Sequence, residues 1–101
     1  MNDEFLKLAE ADREKCLDWV YAYCVPAMHY NTLRTSYGLK HLLESCTGVY
    51  MTNDQFKDMM LKQGFYPQKE KEENWVFKVK EEPLKLAERY IRCKEANRVL
   101  Y

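Results

Sequence analysis

A chain of 101 residues with zero formal net charge, 47% hydrophobic and 14% aromatic, suits one domain with its own core and is too apolar for a disordered chain. No apolar run approaches the roughly 20 residues that cross a bilayer, and Met1 to Glu10 lacks the basic, apolar, small-residue order of a signal peptide, so a cytoplasmic protein without membrane attachment is expected. The balance argues against a strongly basic nucleic-acid binder, but it is graded: six acids face three bases up to Cys24, and five bases face two acids from Pro83 onward.

Helical spacing over residues 3–24, carried by Phe5, Leu8, Ala9, Cys16, Trp19, Val20 and Tyr23, predicts an acidic first helix stopped by Pro26; Asp12 can cap a second piece if the helix is broken. The polar stretch Tyr30 to Ser36 reads as a connector that ends in an N-cap at Ser36. Leu39, Leu42, Leu43 and Cys46 follow at i, i+3, i+4 and i+7, and Gly48 closes that helix. Val49 and Tyr50 are expected to point into the core. Thr52 or Asn53 then caps a further helix running to about Gln63, with Phe56, Met59 and Met60 inward and Gly64 at its end.

Phe65 to Pro67 and the alternating Trp75, Phe77 and Val79 predict two strands of a hairpin around the charged tip Lys69 to Asn74. Pro83 suits the first position of a last helix, on which Leu84, Leu86, Ala87, Tyr90, Ile91 and Cys93 form an apolar arc opposite Lys85, Arg89 and Arg92. The apolar end, Val99 to Tyr101, is expected to dock. The fold class expected is α+β and mostly helical: a winged helix-turn-helix (helix, helix-turn-helix, β-hairpin wing) with an additional C-terminal helix. It forms one domain over 1–101, with a core at 30–80 and flanking helices at 3–24 and 83–98.

The stretches Asn31-Thr32, Arg34 to His41, Tyr50 to Phe56 and Gly64-Phe65 resemble winged-helix segments of phage and mobile-element proteins. They are similar to the C-terminal winged helix of phage primase-helicases and to small accessory proteins of bacterial mobile elements. The resemblance covers about half the chain, from Asn31 to Val79; no helicase or primase domain accompanies it, and the flanking helices lie outside it. It implies a fold and a mobile-element setting, with no activity attached.

No phosphate loop, HExxH or serine elbow is present, and no enzyme, cofactor or small-molecule substrate is expected. Cys16, Cys24, Cys46 and Cys93 form no CxxC pair and read as free thiols; with His29 and His41 three of them supply zinc-type donors, but their spacing demands no metal. His41 is expected to be solvated or to serve in capping.

For nucleic acid, the candidates are Arg34 and Lys40 near the second long helix, Asn53, Gln55, Lys57 and Lys62 on the third, and Lys85, Arg89 and Arg92 on the last. Asp54 and Asp58 on the same third-helix face would repel a polyanion, and with Leu61 they suggest a protein contact instead. The function expected is therefore a non-catalytic accessory protein of a phage or mobile element that binds nucleic acid, alone or as a homodimer. The alternative is an anti-defence factor, such as an anti-CRISPR protein, docking on a host defence nuclease.

Overall fold

Caps and glycines place the helix ends. The computed structural model describes residues 3–99, with side chains to residue 95. A single 3₁₀ turn, Phe5–Lys7, precedes four helices: α1 (Glu10–Tyr23), α2 (Ser36–Thr47), α3 (Asn53–Lys62) and α4 (Glu81–Val99). The break in the first helical stretch falls at Leu8 and Ala9, whose ψ angles of 151° and 148° are extended, and not at Asp12.

Thr35, not Ser36, caps α2: its hydroxyl accepts from the Gly38 amide at 3.2 Å. Ser36 is fully buried and spends its hydroxyl on the Trp75 amide, 2.9 Å away. Gly48 ends α2 at φ 78°, where a side chain would be strained. Thr52 and Gln55 form a reciprocal capping box on α3, each side chain bonded to the other's backbone amide. In the turn between them Val49 and Met51 are buried, whereas Tyr50, expected inside, is 80% exposed. α4 begins at Glu81, ahead of Pro83, whose missing amide hydrogen costs nothing in a first turn.

The expected α+β winged helix-turn-helix is not what forms: the described residues contain four helices and no strand, so there is no β-hairpin wing. The reason lies in how residues 75–80 use their backbone groups. Between 65–68 and 75–79, one backbone bond is made, from the Gln68 amide to the Val76 carbonyl at 3.2 Å. The second limb bonds instead to the connector between α1 and α2. Ala27 donates to the Lys78 carbonyl, Asn31 to that of Phe77 and Ser36 to that of Trp75, while Lys80 donates to Val25, at 2.7–3.0 Å. The single bridge, Pro26 to Val79, is isolated, because the Val79 amide turns back to the Phe77 carbonyl at 3.1 Å and bends the chain. The alternation does hold on the inward side, where Trp75, Phe77 and Val79 are 1%, 0% and 2% exposed.

α1, α2 and α4 pack against one another, and α3 packs on α2 and on the 3₁₀ turn. Their shared core includes Cys16, Trp19, Leu39, Leu43, Phe56, Met59, Met60, Phe77 and Leu84. The docking expected of the chain end falls outside the residues whose side chains are described. No helix among the described residues is long and apolar enough to cross a membrane.

A buried carboxylate fixes the N-terminal turn. Asp58, 2% exposed on α3, accepts from the Phe5 amide at 2.9 Å and from Lys62 Nζ at 2.8 Å, which seats Phe5 in the core. Asp58→Asn removes the acceptor's charge from both bonds and is expected to cost about 1–2 kcal/mol in a urea titration. Hydrogen exchange at the Phe5 amide should rise at the same time. Unchanged exchange there would show that the turn is held by packing alone.

Candidate functional site

The polar side chains expected to face a nucleic acid are mostly engaged within the chain. On α3, Asn53 Nδ2 donates to the Glu73 carbonyl at 3.1 Å, and Gln55 is held in the capping box. Lys57 is 5% exposed, with Nζ 4.7 Å from the centre of the Trp75 ring, a cation–π contact. Lys62 is paired with Asp58. The face expected to be open therefore has Lys57 and Asp58 buried, Leu61 partly buried against the core, and Asp54 exposed. Lys40, 8% exposed, lies 3.1 Å from a Glu44 oxygen and 5.5 Å from the Tyr37 ring centre. Glu44 also accepts from the Met51 amide, fixing the turn into α3.

Arg34 is the most heavily engaged base. Its guanidinium donates to both oxygens of Glu81 and both of Glu88, with the shortest contacts 2.6 Å and 3.0 Å, and so clamps the connector to α4. Asn31 adds a bond to Glu81 at 2.9 Å. The bonds that Arg34 donates are the main cause that holds both carboxyls below the usual range, and the same bonds, first to Glu81 and then to Glu88, raise the Arg34 pKa. Glu81 and Glu88 stand two turns apart on α4, a spacing legible beforehand; which base they would share was not.

Of the nine nucleic-acid candidates, Lys62, Lys85, Arg89 and Arg92 are exposed; Lys62 is paired with Asp58, and the other three lie on α4. Lys85 reaches Glu82 at 3.9 Å with both side chains largely in solvent, a pairing worth little.

What lies open instead is aromatic. Two concavities of about 280 Å³ each share Pro26, Gln63 and Phe65 and so form one furrow between the chain leaving α1 and the chain leaving α3. Tyr21 lines one end and Tyr30 and Tyr66 the other, where Lys78 Nζ stands 5.0 Å from the Tyr30 ring centre. Tyr21 is 92% exposed and Tyr66 65%, and Met28, on the same connector, is 85% exposed. Large apolar groups gathered in the open mark interaction surfaces, and tyrosine suits them by pairing an apolar body with a polar tip. None of these residues stands out as a site from sequence, where Phe65 to Pro67 read as a strand and Tyr30 as the start of a connector. The available signal was Tyr21, two positions beyond Trp19 on α1 and so off its buried arc.

Cys16 and Cys24 are buried, whereas Cys46 is partly exposed and Cys93 exposed. Burial pushes the Cys16 thiol up to about 11, with a further push from Asp12, and the Cys24 thiol up to about 12, so neither is a thiolate at neutral pH. Among the described residues, no three of the His, Cys, Asp and Glu side chains gather as they would around a metal ion. His41 Nδ1 lies 3.3 Å from Glu44 and its ring packs edge-on to Tyr37. No family model, curated protein or solved structure matches the chain.

Proposed function

We propose that this chain is a non-catalytic protein-binding domain whose furrow takes a segment of a partner carrying apolar anchors and a carboxylate. The observation that supports it most is the furrow itself, with Tyr21, Tyr30, Phe65 and Tyr66 around an apolar floor and Lys78 at the rim as the complement of an acid. The internal engagement of Asn53, Gln55, Lys57 and Lys62 turns the same reading away from base recognition by α3. The phage or mobile-element setting implied by the Asn31 to Val79 resemblance makes host defence nucleases the first partners to try.

Panning the purified protein against a displayed peptide library is expected to enrich aromatic or aliphatic segments that carry Asp or Glu. Tyr66→Ala and Lys78→Glu should each weaken the enriched peptides by about tenfold or more with the melting temperature unchanged. Enriched peptides indifferent to both substitutions would remove the furrow from the proposal. A duplex or single strand shifted at low salt, with a steep loss as salt rises, would return the function to nucleic acid.

A further inference from the structure

We infer that a second copy of this chain docks across α1 and α4, the acidic stripe of one copy lying on the basic stripe of the other. On α1, Glu10, Glu14 and Asp18 recur at i, i+4 and i+8 on the side opposite Cys16, Trp19 and Val20, and all three are exposed. None of them has an ion pair among the described residues. On α4, Lys85, Arg89 and Arg92 recur at i, i+4 and i+7 and are exposed as well.

At 1.5 Å per residue the acidic stripe is about 12 Å long and the basic stripe about 10 Å, so charge meets charge along both. Beside the basic stripe Leu86 and Tyr90, one turn apart, are 53% and 49% exposed. Residues 92–95, more than a full turn of helix, are exposed without exception.

The occupant follows from charge. α1 and α4 pack against each other, and a chain that carries an acidic stripe on one helix and a basic stripe on the other is complementary to itself under a two-fold rotation. That rotation makes the α1-to-α4 contact twice. Zero net charge leaves no overall repulsion between copies. The furrow meets the α1 stripe at Tyr21, three residues after Asp18, but Tyr66 and Lys78 lie on neither α1 nor α4, so their substitution tests the furrow alone.

The test is the mass of the whole chain in solution by light scattering and sedimentation, at low and high salt. The wild-type protein should be a dimer at low salt and dissociate as salt rises. Reversing one stripe, with Arg89→Glu and Arg92→Glu together, or the other, with Glu14→Lys and Asp18→Lys together, should weaken the dimer about a hundredfold by setting like charges opposite. All four positions are exposed, and an unchanged melting temperature will show that each variant folds. Mixing the two variants should restore a dimer, because each then offers the other opposite charge at both contacts; Tyr66→Ala should leave the dimer intact. A monomer at low salt overturns the inference. So does a dimer indifferent to both reversals, a failure of the mixture to pair, or a low-salt DNA complex abolished by reversing Arg89 and Arg92 in a monomeric protein.

Discussion

Trp75→Ala is expected to lower the unfolding free energy by about 3–5 kcal/mol in a urea titration, the largest loss anticipated for a single side chain here. The ring is 1% exposed and packs edge-on to Phe77 with centroids 6.2 Å apart. Alanine leaves a void that its surroundings cannot close, because the backbone is tied at that point: the Trp75 amide bonds to Ser36 Oγ and its carbonyl to the Ser36 amide. It also strips the aromatic face from Lys57, leaving a buried cation over a cavity. The Glu70 carbonyl loses the indole N–H that reaches it at 3.1 Å. Trp75→Phe separates these effects, since it keeps a ring under Lys57 and gives up the indole bond and some volume; a loss of about 1–2 kcal/mol is expected. Equal losses in the two variants would mean that the Glu70 bond, and not packing, holds the 69–75 loop.

The helices were legible because each carries a local signal. The Leu39, Leu42, Leu43 stripe and Gly48 bound α2, and Thr52 with Gln55 opens α3. The alternation of Trp75, Phe77 and Val79 was legible for the same reason, and it correctly named the buried side. It could not name the partner. Period two states which face of an extended segment is apolar, whereas the choice between 65–68 and 25–36 depends on tertiary placement. Pro67 has no amide hydrogen to offer a ladder, and the Phe77 to Val79 turn interrupts one.

Charge was misread by a related default. Lys40, Lys57 and Asp58 were placed outside because lysine and aspartate are rarely buried, and each is buried beside a partner distant or ambiguous in sequence: Glu44, the Trp75 ring and the Phe5 amide. The aromatic furrow is not legible in the same way, because its tyrosines come from separate segments: Tyr66 reads only as part of a strand, Tyr30 as the start of a connector, and Tyr21 falls off the buried arc of α1. Tyr21 and Tyr66 are outside the core.

Arg34→Ala should cost about 2–3 kcal/mol near neutral pH. The Arg34 and Glu81 side chains retain 17% and 22% exposure and are poorly placed to recover water; Glu88 at 39% rehydrates more readily and accounts for the smaller share. Without the guanidinium, two carboxylates on one face of α4 are left near each other, and Glu81 already acts to raise the Glu88 pKa. The pH dependence distinguishes this clamp from simple packing. In the wild-type protein both carboxyls titrate below their unfolded value of about 4.3. The stability they contribute is therefore fully present above that value and is lost as pH falls through the depressed folded values. In the variant the largest cause of that depression is gone, among cations only the weaker pull of Lys85 on Glu81 and of Arg92 on Glu88 remains, and protonation relieves the repulsion between the carboxylates. The gap in melting temperature between the two proteins should be widest between pH 6 and 8 and should narrow below about pH 4. A gap that stays constant into acid would assign the loss to the Arg34 methylenes. Arg34→Lys should recover only part of it, since one ammonium cannot hold both carboxylates in the paired, planar geometry that the guanidinium provides.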